Sequence, residues 1–186
     1  MMIAQQLVSD LIPPIKTSES IQVVLDRMAE FRVNHLPIVN ENQLLGLVSD
    51  EDLIEIQDYT AEIGSVPLSV SNGYILSDQH VYDVIKTFNE KRLTLLPVID
   101  EQKTYFGAIS ISTMVEYMAS LTSVKEPGGI IVIEINNRDN SLAHIAQIVE
   151  SNNAQVLSSY ITSFPESTRL EITLKINRAD ISAIVA

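Results

Sequence analysis

Apolar residues at Ile21, Val24, Leu25 and Met28 follow the i, i+3, i+4, i+7 spacing of an amphipathic helix. The same spacing returns at Val81, Val84, Ile85 and Phe88. Ser18 and Asp78, just ahead of the two stripes, are residue types that cap helix N-termini. Behind each stripe comes a short apolar run, Leu36-Pro37-Ile38-Val39 and then Leu95-Leu96-Pro97-Val98-Ile99. Runs of this kind predict strands buried on both faces, with each proline at a strand start or edge. Leu44-Leu45-Gly46-Leu47-Val48-Ser49 and Tyr105-Phe106-Gly107-Ala108-Ile109-Ser110 then complete two hairpins, 35–40 with 43–49 and 95–100 with 104–110.

These elements are two copies of one unit. Arg32-Val33-Asn34-His35-Leu36-Pro37-Ile38-Val39-Asn40 and Arg92-Leu93-Thr94-Leu95-Leu96-Pro97-Val98-Ile99-Asp100 lie sixty residues apart, with Arg, Leu and Pro in register. Past the hairpin turn the offset becomes sixty-one, and a turn is where an added residue costs least. Each unit predicts a short strand, a helix, a hairpin and a second helix, over 1–58 and 59–123. Two such units bury their open faces against each other, so a cleft is expected at their junction.

A third segment, 124–186, reads differently. Lys125-Glu126-Pro127-Gly128-Gly129 breaks any helix and has the composition of a linker. Ile130 to Ile135 form a β-rich run, and Leu142, Ile145, Ile148 and Val149 take helical spacing. Strands are expected over 155–163 and 169–176, the latter alternating Leu170, Ile172, Leu174 and Ile176 with polar residues. Phe164-Pro165-Glu166-Ser167 makes the turn between them, and Ile181, Ile184 and Val185 begin another helix. The fold class is therefore α/β of the α+β kind: two β-α-β-β-α repeats and an incomplete ferredoxin-like βαββα segment. Interruption of that last helix at Ala186 suggests a trimmed tail; otherwise the open sheet edge needs a partner.

Composition narrows the function. Hydrophobic residues are 46% and charged residues 19% of the 186, the balance of a chain that packs a core. The net charge of −12 opposes binding to a nucleic-acid backbone, which needs clustered Lys and Arg. Aromatics at 5%, without Trp, make a poor base-stacking platform. With no cysteine, disulfides, thiolate metal sites and cysteine nucleophiles are excluded. No apolar run reaches the roughly 18 residues that cross a bilayer, and the segment starting Met1-Met2-Ile3-Ala4 lacks the marks of a signal peptide. A cytoplasmic location is expected.

The pattern x-Leu-Pro-Val/Ile followed by Gly-h-h-Ser-x-x-Asp opening a helix resembles the CBS domain, where h is any apolar residue. The duplication over residues 1 to 122 resembles a tandem CBS pair, or Bateman module. Gly46-Leu47-Val48-Ser49-Asp50-Glu51-Asp52 carries the full motif. Taken by themselves, Asp50 and Glu51 are acidic residues that offset a helix's positive end, worth about 0.3–1 kcal/mol each. The resemblance implies that Asp52 accepts hydrogen bonds from ribose hydroxyls, with Ser49 beside the ribose or phosphate. It also implies an apolar adenine wall at Ile12, Pro13, Pro14 and Ile15. Lys16, Arg32, Asn34, His35 and Pro37 complete the ligand-binding candidates, Lys16, Arg32, Asn34 and His35 as phosphate contacts. Read structurally, Arg32 and its counterpart Arg92 are instead favourable charges at helix C-termini. The second repeat departs from the motif, because Gly107-Ala108-Ile109-Ser110-Ile111-Ser112-Thr113 has Thr113 in the place of Asp. A weaker second site is expected from Arg92, Thr94, Ser110 and Thr113.

The third segment resembles an ACT domain without its final strand. Its first turn, 136–141, lacks the Gly of ACT domains that bind amino acids, so dimerisation is the role it implies. His35, His80 and His144 sit in no nucleophile or metal-ligand pattern, so no enzyme, catalytic residue, metal or required cofactor is expected. The resemblance implies a regulatory module for AMP, ADP, ATP or S-adenosylmethionine in the inter-repeat cleft, acting as a homodimer with a regulated protein partner. The alternative is a ligand-free module for structure and dimerisation.

Overall fold

The computed structural model describes residues 2–67, 73–136, 141–165 and 167–185. They form two compact units, Met1–Met114 and Val115–Ala186.

In the first unit, α1 (Ile21–Phe31) and α2 (Val81–Lys91) occupy the two apolar stripes, burying Ile21, Val24 and Met28 in one and Val81, Val84 and Phe88 in the other. Each starts two residues later than the sequence predicts, capped by Ser20 rather than Ser18 and by His80 rather than Asp78. The residues just before these caps are bonded to other chain segments. Thr17 and Glu19 carbonyls accept the Gly64 and Ile63 N–H groups, while Ser77 and Gln79 carbonyls accept those of Gln5 and Ala4. Both helices end on a left-handed arginine, Arg32 with φ 55° and Arg92 with φ 52°.

β1 (His35–Asn40) pairs antiparallel with β2 (Gln43–Ser49). The second repeat adds β3 (Ile75–Leu76) in parallel to β4 (Leu95–Ile99), which pairs antiparallel with β5 (Tyr105–Ser110). Ile15, bridging in parallel to Ile38, is the first repeat's equivalent of β3. Even the register irregularity recurs, at Ile38/Val39 and Val98/Ile99.

The repeats differ in their last element. β5 runs directly into α3 (Ile111–Leu121). In the first repeat the expected second helix does not form: 51–55 are turns, held by i→i+3 bonds from Leu53 N–H to the Asp50 carbonyl and from Ile56 N–H to the Leu53 carbonyl. The segment that follows serves α1. Carbonyls of Tyr59 and Ala61 accept the Gln22 and Ile21 N–H groups, two of the orphan donors that open α1.

The two repeats share one core. Leu95 and Ala108 of the second pack in the cluster built by Ile15, Ile21, Val24, Leu36, Val48 and Leu53 of the first. Their hairpin tips also join, with Tyr105 N–H donating to the Asn42 carbonyl at 2.8 Å and Leu44 N–H to that of Lys103 at 3.1 Å. The connecting arms cross over: 2–9 bond to the second repeat and 61–66 to the first. Gly107 is needed where the N-terminal arm passes, since it has φ +135° and a Cβ there would run into the Val8 side chain.

The second unit runs β6 (Ile130–Asn136), α4 (Leu142–Ser151), β7 (Val156–Ser163), β8 (Arg169–Ile176) and α5 (Ser182–Val185). Its antiparallel sheet has the order β6-β8-β7 expected of a ferredoxin-like segment, around a core of Ile131, Val149, Ala154, Ile172, Leu174 and Ile176. The predicted linker glycines are structural here. Gly129 donates to the Arg178 carbonyl at 2.7 Å and accepts from Ile176 N–H at 3.0 Å. A Cβ on Gly128, φ +154°, would collide with the Ile176 carbonyl. Most of the 136–141 turn, together with Met1, Glu166 and Ala186, lies outside the described residues. Among the described residues no helix is long and apolar enough to cross a membrane.

Candidate functional site

The C-terminal end of β2 reaches the repeat junction, where β1 begins. Ser49 is buried there, at 6% exposure, and pairs across the hairpin with His35. Ser49 and Asp52 bond reciprocally. The Ser49 N–H donates to Asp52 Oδ2 at 2.8 Å, and the Asp52 N–H donates to Ser49 Oγ at 3.2 Å. This is the geometry of a capping box, closed on a turn instead of a helix. It holds one carboxylate oxygen of Asp52 beside the strand end.

Asn34 organises the neighbouring residue. Its Nδ2 donates to Asp50 Oδ2 at 2.9 Å, and its carbonyl accepts the Asp50 N–H at 2.9 Å. Asp50 Oδ1 accepts the Glu51 N–H at 3.0 Å. The acidic stretch 50–52 is therefore pinned to the β1 entry and to Ser49 by named hydrogen bonds.

Thr94, expected in the weaker second site, lies against the first. Asn34 N–H donates to Thr94 Oγ1 at 2.9 Å, and His35 Nδ1 lies 3.1 Å from the same oxygen. Thr94 N–H donates back to His35 Nδ1 at 3.3 Å. A backbone N–H can only donate, so this contact assigns Nδ1 as the acceptor and the ring hydrogen to Nε2. Burial pushes the His35 pKa below its ordinary value, outweighing the carboxylates of Asp50, Asp52 and Glu51, which pull it upward.

The counterpart in the second repeat is built from hydroxyls. Thr113 N–H donates to Ser110 Oγ at 3.1 Å, and that oxygen lies 2.9 Å from Thr113 Oγ1 and 2.7 Å from Ser112 Oγ. The backbone repeats faithfully, since Ile111 N–H bonds the Thr94 carbonyl as Asp50 N–H bonds that of Asn34. The charge does not repeat.

Pro14 and Lys16 flank Ile15, which bonds on both sides to β1: its N–H to the Pro37 carbonyl and its carbonyl to the Val39 N–H, each at 2.8 Å. Pro37 is buried and Ile12 packs on the shared core, while Lys16 is exposed. Arg92 is exposed at its helix cap, two residues before Thr94. Arg27 was missed by sequence reasoning. Its Nη1 donates to the Pro14 carbonyl at 3.0 Å and its Nη2 to Glu19 Oε1 at 2.7 Å, tying the entry strand to α1. Nothing signalled it, because its counterpart in the second repeat is Thr87. His80 and His144 belong to helix starts: His80 caps α2, and the His144 N–H donates to the cap Ser141 Oγ of α4. Among the described residues no group of three or more His, Asp or Glu is placed to hold a metal ion.

Set beside known proteins, the sequence matches a family. The model described as CBS domain matches residues 6–59 and 63–120. Inosine-5'-monophosphate dehydrogenase of Bacillus subtilis (strain 168) is 24% identical over 135 residues, covering 67% of this chain and 27% of that protein. The chain spans about a quarter of the length of the curated relatives it matches. Among solved structures, a CBS domain pair/ACT domain protein from Thermotoga maritima superposes with a TM-score of 0.57 at 22% identity, covering 63% of this chain and 96% of that one. CBSX2, solved in complex with AMP, superposes with a TM-score of 0.54 at 21% identity, covering 63% and 96%. At these identities the solved structures speak for the fold alone.

Proposed function

The chain belongs to the CBS domain family, and we propose that its two repeats form a regulatory module that binds an adenosine-type ligand at their junction. The supporting observation is the reciprocal Ser49–Asp52 pair, which presents an anchored carboxylate at the end of β2, next to the contact between repeats. A carboxylate is a good acceptor for the two hydroxyls of a ribose. The AMP complex of CBSX2, a protein of the same fold, supports the choice of ligand class. In this reading the chain carries out no chemistry of its own. Binding biases the arrangement of the repeats, and a partner or the second unit reads the result, which requires unequal affinity for two states.

The reading assigns the ligand to the first repeat. Ser110, Ser112 and Thr113 offer hydroxyls without a charge, so the second position binds weakly or not at all. Titration calorimetry and thermal shift with AMP, ADP, ATP and S-adenosylmethionine test this. A ligand at a hundred times its Kd adds about 2.7 kcal/mol to stability. Asp52→Asn keeps an oxygen for the Ser49 N–H and removes the charge, so affinity should fall tenfold or more with little loss of Tm. Unchanged affinity in that variant rules the assignment out.

A second reading, a ligand-free dimerisation module, is favoured by one observation. Ile111, Val115 and Met118 make an exposed apolar stripe along α3. We assign this surface to a homodimer formed through the repeats. Val115→Glu should shift the sedimentation coefficient toward that of the monomer; retention of the wild-type value contradicts it. The ferredoxin-like unit is assigned to dimerisation, and the module to the cytoplasm.

A further inference from the structure

We propose that the His35–Thr94 contact is a proton-sensitive latch between the two repeats. The argument starts from donors and acceptors. Thr94 contributes a backbone N–H, which can only donate, and His35 Nδ1 receives it at 3.3 Å. The Thr94 hydroxyl, 3.1 Å from the same nitrogen, accepts the Asn34 N–H and can donate its own hydrogen to the unprotonated ring. Both contacts use the Nδ1 lone pair. Adding a proton there sets a donor against the Thr94 N–H, so that contact is lost, and the Thr94 hydroxyl must turn round to accept from the ring.

The latch holds something worth holding. Asn34 and Thr94 occupy the same position in the two repeats, and the strands that follow them, β1 and β4, carry Leu36 and Leu95 into the shared core. The Thr94 carbonyl receives the first N–H of α3, and the Asn34 carbonyl receives the N–H of Asp50. A loosened junction therefore reaches the ends of both hairpins. The charged groups acting on the ring are Asp50, Glu51 and Asp52, all on the turn that follows β2. Just ahead of β4 the ring meets Thr94, which is uncharged, with Arg92 exposed two residues earlier. Burial outweighs the carboxylates and keeps the ring neutral below the usual imidazole range.

The sign follows from linkage. A folded-state pKa below 6.5 means that the folded protein binds fewer protons than the unfolded chain. The stabilisation is fully present above 6.5, declines as pH falls from there toward the depressed folded value, and levels off below it. No bound ligand is needed, so the latch stands or falls apart from nucleotide sensing.

The test is a heteronuclear NMR titration of the intact chain between about pH 8 and about pH 5, the range in which imidazoles change charge. The expected result is an unprotonated Nδ1 at the upper end, a His35 midpoint below 6.5, and a Thr94 amide resonance that moves with that same midpoint. A protonated Nδ1 at the upper end, or a Thr94 amide indifferent to the His35 titration, overturns the proposal. His35→Leu, which installs the residue found at the matching position of the second repeat, gives an independent check. Its Tm should fall less between those two pH values than the wild-type Tm does. An equal fall overturns the latch, and if the variant does not fold the wild-type titration still decides.

Discussion

Asn34 and Thr94 stand sixty residues apart at the same position of two repeats, and the backbone N–H of the first donates to the hydroxyl of the second at 2.9 Å. A duplicated chain has brought a residue into contact with its own counterpart. The contact works because the two residues differ: Asn34 spends its side chain on Asp50, while Thr94 turns a hydroxyl across the junction. Thr94→Val keeps the shape and removes the oxygen, leaving the Asn34 N–H without that acceptor. A loss of about 1 kcal/mol is expected, with Thr94→Ser close to wild type, measured by urea unfolding.

Arg27 is expected to matter more to stability than its absence from any motif suggests. It binds both the Pro14 carbonyl and the Glu19 carboxylate, and its side chain is only 19% exposed. Arg27→Met should cost about 1.5–3 kcal/mol, the range for hydrogen bonds that involve a charged group.

The same pair makes a pH statement. Burial alone would raise the Glu19 pKa, but the Arg27 hydrogen bond, the Lys16 N–H and the two cations outweigh it, and the carboxyl lies below its ordinary 4.5. The stability it contributes is present above that value and is lost as pH falls through the depressed one. Tm measured from about pH 6 down to about pH 3 should therefore drop more steeply in the wild type than in Arg27→Met.

Arg32 and Arg92 recur because of a backbone requirement. Both are helix C-caps in the left-handed region, where a side chain costs roughly 1–2 kcal/mol and glycine almost nothing. Glycine's greater flexibility in the unfolded chain offsets about half of that gain. Arg32→Gly and Arg92→Gly should each raise stability by up to about 1 kcal/mol, read from denaturant midpoints. Nucleotide affinity measured on the same variants shows whether either arginine also meets a phosphate.

Tyr105 is the opposite case. Its hydroxyl is buried with no hydrogen-bond partner among the described residues, and burial, assisted by the charge of Asp10, pushes its pKa well above the usual phenol value. Tyr105→Phe removes an unsatisfied group from a pocket beside Val39, Leu44 and Ile99. It should leave Tm unchanged or raise it, by calorimetry, where most core substitutions lower it.

Much of this protein is legible in its residues taken in order. The apolar stripes ending at Met28 and Phe88, the hairpins around Pro37 and Pro97, and the sixty-residue offset follow from local periodicity, and periodicity is a property of the chain alone. So is the inequality of the repeats, since Asp52 and Thr113 differ in charge wherever they sit. The same holds for the strand and helix order of the third segment.

Tertiary structure decided what the carbonyls and side chains meet. The stretch after β2 closed into turns, and beyond it the carbonyls of Tyr59 and Ala61 went to the start of α1. The caps moved from Ser18 and Asp78 to Ser20 and His80, with crossing arms bonded to the intervening Glu19 and Gln79 carbonyls. Thr94 joined the first repeat's site, and Gly128 and Gly129 joined a sheet, through neighbours far away in sequence. A periodic pattern states which face of an element is apolar, but a hydrogen bond is made only where folding brings its donor and acceptor within about 3 Å.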